Sequence, residues 1–109
     1  MMRIALLAAI FALVPLTALG EEPAVYRLVA RDGAFEPQTI EVPAGKQFKL
    51  EISNEGKGPM EFESRDLKQE KVIARGAKST LVIKSLKPGT YVFFDEHHSD
   101  AAKGRLVVK

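Results

Sequence analysis

From residue 25 onward the chain is built of short apolar and β-branched runs, each closed by turn residues. VYRLVA is followed by RDG, TIEV by PAGK, QFKLEIS by NEGKGP, EKVIA by RGAK and STLVIKS by LKPG, with MEFES, TYVFF and RLVVK between and after them. Strands of this length at this spacing predict a β-sandwich or barrel. A sustained 3.6-residue apolar period is absent, so the expected class is all-β.

Alternation assigns faces within the runs. In QFKLEIS, Phe48, Leu50 and Ile52 share one parity and Lys49 and Glu51 the other, as a half-buried strand requires. In TYVFFD both parities are apolar, which leaves two assignments open: Tyr91, Phe93 and Asp95 inward, or Val92 and Phe94 inward.

The opening MMRIALLAAIFALVPLTALGEE has Arg3 before an apolar run over residues 4 to 19, then Ala18 and Gly20 as small residues ahead of an acidic pair. It is expected to be a cleaved signal peptide, residues 1 to 20, leaving a soluble exported domain over residues 21 to 109 and therefore a periplasmic location. The run is short for a spanning helix and contains Pro15, and no cysteine follows it to carry a lipid. Removing it takes away only Arg3 among the charges, leaving about 15 basic against 14 acidic residues. That balance, with no basic stripe and interleaved aromatics, argues against a nucleic-acid partner. The chain has no cysteine, so sheet packing rather than disulfides must hold a domain of this size together.

Two segments could carry chemistry. FFDEHHSDAAKG, residues 93 to 104, gathers Asp95, Glu96, His97, His98 and Asp100 at a strand end. If Asp95 points inward, its carboxylate must be paired, hydrogen-bonded or bound to a cation. The segment is either a polar loop with a carboxylate held by backbone N–H groups or a metal-binding loop. GPMEFES, residues 58 to 64, places Met60 and Phe62 on one strand face and Glu61 and Glu63 on the other. It starts at a sheet end from which a side chain can reach residues 95 to 98. Glu70 could reach the same end, although a surface ion pair with Lys68 or Lys71 is the role expected of it.

Taken together, FEP, VPAGK, EFES followed by EKV, LKPGTYVFF and the closing KGRLVVK resemble the cupredoxin superfamily over almost all of residues 21 to 109. The resemblance is closest to the EfeO-type cupredoxin-like proteins associated with bacterial ferrous-iron uptake permeases. It implies a cupredoxin-like Greek-key β-sandwich of seven or eight short strands. In blue-copper relatives the ligands are two histidines, a cysteine and a methionine. On this chain Met60 takes the first histidine's place, Asp95 the cysteine's and His98 the second histidine's, while Ala101, Ala102 and Lys103 fill the methionine stretch. Without a thiolate, a His2Cys blue-copper centre is excluded. The resemblance implies instead a mixed oxygen, nitrogen and sulfur site for copper or iron, with His98, Asp95, Met60 and Glu63 as first candidates and Glu61, Glu96 and His97 as alternates.

The implied function is a periplasmic metal-binding protein that supports ferrous-iron uptake by capture, delivery or copper-assisted Fe(II) oxidation. An inner-membrane iron permease or another periplasmic iron-uptake component is the expected partner, and the role is accessory rather than clearly enzymatic. The competing reading is a metal-free β-sandwich that binds a protein partner in the cell envelope. A hydrolase using Asp95, Glu96 and His98 is disfavoured, because no nucleophile motif or oxyanion glycine loop accompanies them.

Overall fold

Asp32 and Gly33 both have positive φ, 50° and 90°, which is what a two-residue hairpin turn of type I′ demands and what an Asp-Gly pair supplies at low cost. The turn folds β2 (Ala34–Glu36) back on β1 (Ala24–Arg31), with Ala30 opposite Phe35. The remaining strands are β3 (Thr39–Val42), β4 (Phe48–Asn54), β5 (Met60–Ser64), β6 (Gln69–Ile73), β7 (Lys78–Ile83), β8 (Gly89–Asp95) and β9 (Gly104–Val108). This computed structural model describes residues 22 to 109. The expected signal peptide lies outside the described residues.

Among the described residues nine strands form two sheets, one ordered β2-β1-β4-β7 and the other β3-β9-β8-β5-β6. β1 and β4 run parallel, as do β3 and β9, and the other pairs are antiparallel. Parallel neighbours cannot be joined by a tight turn, so the chain crosses between sheets from β2 to β3 and back from β3 to β4. This is the all-β, cupredoxin-like sandwich expected from the sequence, with one strand beyond the upper end of the predicted seven or eight. The addition is β2, whose three residues are too few to show a period.

The two inner faces make one core. Leu28, Leu50, Ile52, Phe62, Phe93 and Leu106 are fully buried. In β4 every second residue from Phe48 is buried, as its alternation predicted. The open choice in β8 resolves with Phe93 and Asp95 inward, while Val92 and Phe94 are half-buried on the outer face. Phe93 stacks edge-on to Phe35 at 5.0 Å and lies 5.3 Å from Phe62.

Gly104 sits opposite Phe93 in the β8–β9 register. A Cβ there would lie 2.0 Å from the Phe93 ring. The ring has packed neighbours on its other sides, so Gly104→Ala should destabilise the fold by about 3 kcal/mol, the upper end of overpacking costs. Urea denaturation measures this, and an unchanged midpoint would mean that the ring can move aside.

Candidate metal centre

The site is built where β5 enters the second sheet. The preceding NEGKGP loop is fixed by Asn54, itself buried, whose amide Nδ2 donates to the carbonyls of Gly58 and Ile73 while its Oδ1 accepts from Gly56 N. From this anchored start β5 alternates strictly. Met60, Phe62 and Ser64 are buried, and Glu61 and Glu63 are half-buried on the outer face.

Asp95 ends β8 and caps a short 3-10 turn, Glu96–His98. Its carboxylate is 1 % exposed, and among the described residues the one ion-pair partner it meets is His98. The structure supplies donors. Asp95 Oδ1 accepts from Glu61 N and His97 N, both at 3.0 Å, and Oδ2 accepts from His98 Nδ1 at 2.9 Å. One buried side chain thereby ties the start of β5 to the turn after β8.

The turn throws the two histidines apart. His98 packs its Cβ beside Gly33 and Ala101, close enough that a Cβ on Gly33 would come within 2.6 Å of it. His97 lies on the other side, where its Nδ1 is 3.0 Å from the Pro59 carbonyl. A carbonyl can only accept, so Nδ1 carries the proton in this bond. When the ring is neutral, this bond leaves the Nε2 lone pair free, and that atom is 3.9 Å from Glu61 Oε2.

Across the β5–β6 hairpin, Glu63 faces Glu70 and Glu61 faces Val72. Glu61, Glu63 and Glu70 each offer a carboxylate oxygen within 4.8 Å of the others. A hydrogen bond with Glu70 raises the pKa of Glu61 most, followed by desolvation and the charges of Glu70 and Glu63, against a lowering by His97. Desolvation raises Glu63 most, followed by the charges of Glu96 and Glu70 and a hydrogen bond with Glu96, against a lowering by Arg65. Carboxylates so arranged repel one another unless they share protons or a cation.

The seven sequence candidates thus divide between the two faces of the sheet. Met60 is 2 % exposed among core residues, Asp95 is buried with both oxygens engaged, and His98 is bonded to Asp95. Glu61, Glu63, Glu96 and His97 gather outside. Glu70 joins the outer group, and among the described residues no ion pair ties it to Lys68 or Lys71. Its place was legible in principle: a hairpin that pairs Ser64 with Gln69 around residues 65 to 68 must put Glu63 opposite Glu70.

The raised carboxylates set a pH dependence. Glu61 and Glu63 hold protons more tightly in the folded chain than in the unfolded one. Their contribution to stability is therefore full below the ordinary carboxylate range and is lost as pH rises through their raised values. Metal binding runs the other way, since it needs the ionised form. The urea midpoint of metal-free protein, measured against Glu61→Gln/Glu63→Gln between about pH 4 and pH 7, should shift in the variant's favour as pH rises. A difference independent of pH would contradict the coupling.

A two-sheet sandwich with parallel β1–β4 and β3–β9 pairs and a ligand-type loop after β8 defines the cupredoxin class. A family model for the cupredoxin-like domain matches residues 3–108, and the chain belongs to that family. It is 34% identical over 82 residues to an uncharacterised protein of Rickettsia prowazekii (strain Madrid E), a match that covers 75% of this chain and 66% of that protein, just under two thirds of its length. Among solved structures it is similar to reduced auracyanin from Roseiflexus castenholzii, with TM-score 0.65 and 16% identity over 83% of this chain and 99% of that one. It is similar also to the metal-binding domain of a Cu(I)-exporting P-type ATPase of Streptococcus pneumoniae D39, solved with Cu(I), with TM-score 0.66 and 15% identity over 78% and 84% of the two chains. At these identities the structural likeness concerns the fold.

Proposed function

We propose that this is an exported metal-binding protein that captures copper or iron on the outer face of its sandwich and hands it to an iron-uptake component at the inner membrane. The observation that carries the reading is the convergence of Glu61, Glu63 and Glu70 within 4.8 Å, with two of the three held above the ordinary carboxylate range by one another and by neighbouring groups. Glu96 beside Glu63 and the free Nε2 of His97 beside Glu61 complete an oxygen-rich donor set with one imidazole. Oxygen donors suit hard and oxidised ions, and imidazole suits copper and iron. A half-exposed site on a rigid strand pair also suits cargo that must be released again.

The interior position fits a metal less well. Asp95, where the blue-copper relatives carry their thiolate, spends its oxygens on two backbone N–H groups and His98. Its role in this reading is to hold Glu61 and His97 side by side, and Met60 is core. The apolar run after Arg3 supports export, and the resemblance to iron-permease-associated proteins supports the partner.

Binding to the native state raises thermal stability with the logarithm of free metal, by about 2.7 kcal/mol at a hundredfold excess over Kd. Cu(II) should stabilise the protein in this way. His97→Ala should weaken binding by more than the about 10-fold to 100-fold typical of groups that only orient a ligand, and His98→Ala should stay at or below that range. The absence of any metal-dependent shift would favour the metal-free partner-binding reading.

A further inference from the structure

The outer face of the five-stranded sheet carries opposite charges side by side that do not neutralise one another. Glu61 and Glu63 stand on β5, with Glu70 across from Glu63 on β6. Arg65 follows on the same parity just past the end of β5. Beyond β8, whose outward residues here are Val92 and Phe94, Lys103 places its ammonium 5.8 Å from the Phe94 ring centre. Among the described residues neither Arg65 nor Lys103 belongs to an ion pair.

A cavity opens beside the two cations, and the strand pairing explains it. β5 pairs with β8 only at Phe62–Asp95 and Glu63–Phe94. Beyond that point the strands part, and side chains take over the ladder: Ser64 Oγ donates to the Val92 carbonyl at 2.7 Å, and Val92 N donates to Asp66 Oδ2 at 2.8 Å. The opening is a cavity of about 280 Å³ lined by Arg65, Asp66, Val92, Phe94 and Lys103. Its size lies just below the about 300 Å³ at which drug-sized sites begin, which suits a small organic ion. Two cations against the one carboxylate of Asp66 leave it positive.

The cavity adjoins the metal centre. Glu63 is directly opposite Phe94, and residues so paired have Cβ atoms about 5 Å apart. Arg65 also lines a second, shallower pocket together with Glu63 and Glu70. A ligand that satisfies both halves must present a cation to the glutamates and an anion to Arg65 and Lys103.

We propose that the protein takes its metal as an anionic chelate: the ion sits on Glu61, Glu63 and Glu70 while the chelator, a small polycarboxylate, occupies the cavity beside them. The proposal rests on the metal-site reading above. Arg65 can grip a carboxylate through two parallel N–H bonds, Lys103 adds a point charge, and the Val92 and Phe94 faces cover the chelator's carbon skeleton. The chelator need not leave for the ion to bind, because none of the three glutamates lines the cavity.

Equilibrium dialysis of the purified protein with Cu(II) and labelled citrate tests this. Citrate should be retained with Cu(II), about one per ion, and far less without it. In Arg65→Gln/Lys103→Gln, Cu(II) binding from citrate-free buffer should persist, whereas citrate retention should fall about tenfold or more as its charge-assisted hydrogen bonds are lost. If citrate strips Cu(II) from the protein without being retained, or is retained equally by the variant, the chelate proposal is overturned and the metal site stands. If Cu(II) does not bind even without citrate, both readings fail.

Discussion

Asp95→Ala should destabilise the fold by about 3 kcal/mol or more, since an unsatisfied buried donor costs about 1–3 kcal/mol and the substitution abandons two. Glu61 N and His97 N both donate to one oxygen of this side chain, and His98 Nδ1 donates to the other. At 1 % exposure little water can replace that oxygen. Asp95→Asn is the informative partner. Its amide oxygen can keep both backbone bonds, and the His98 ring can change tautomer to accept from the new NH2 group, so most of the stability should return. Urea denaturation of both variants measures the difference. A loss below about 1 kcal/mol in the alanine variant would mean that the two donors find other partners.

The sandwich was legible because burial in a sheet alternates with a period of two, and β4 writes that period without interruption from Phe48 to Asn54. β8 was ambiguous for the same reason. With Val92 and Phe94 packed on the outer face, both of its parities are apolar, and only the opposite sheet shows which one meets the core. The inward position of Asp95 followed once Phe93 was placed. Its hydrogen bonds did not, because Glu61 lies 34 residues away in the chain. Glu70 was expected beside a lysine because Lys68 and Lys71 are its neighbours in sequence, whereas its place opposite Glu63 follows only once the register of the hairpin is fixed. The separation of His97 from His98 depends on the 3-10 turn and on the Pro59 carbonyl, neither of which leaves a periodic trace. Reading the loop against blue-copper relatives drew attention to the inner face, whereas the acidic residues of this chain converge on the outer one.

Glu61→Gln/Glu63→Gln should abolish tight metal binding while leaving the metal-free fold at least as stable as before. Both outcomes have one cause. Glu70, desolvation and Glu63 raise the proton affinity of Glu61, and desolvation with the charges of Glu96 and Glu70 raises that of Glu63, so ionising the two together opposes folding and only a shared cation makes the arrangement favourable. Amides of the same shape remove the repulsion and, with it, the negative charge that holds the ion. Asp95→Asn leaves all three glutamates and His97 in place and should keep Cu(II) affinity within the about 10-fold to 100-fold range of an orienting group. Calorimetric titration of Cu(II) into these two variants at neutral pH therefore tests most directly that the metal lies on the outer face: heat of binding lost from Glu61→Gln/Glu63→Gln and kept by Asp95→Asn is the predicted result, and binding kept by the first and lost by the second would put the ion at the interior cupredoxin position instead.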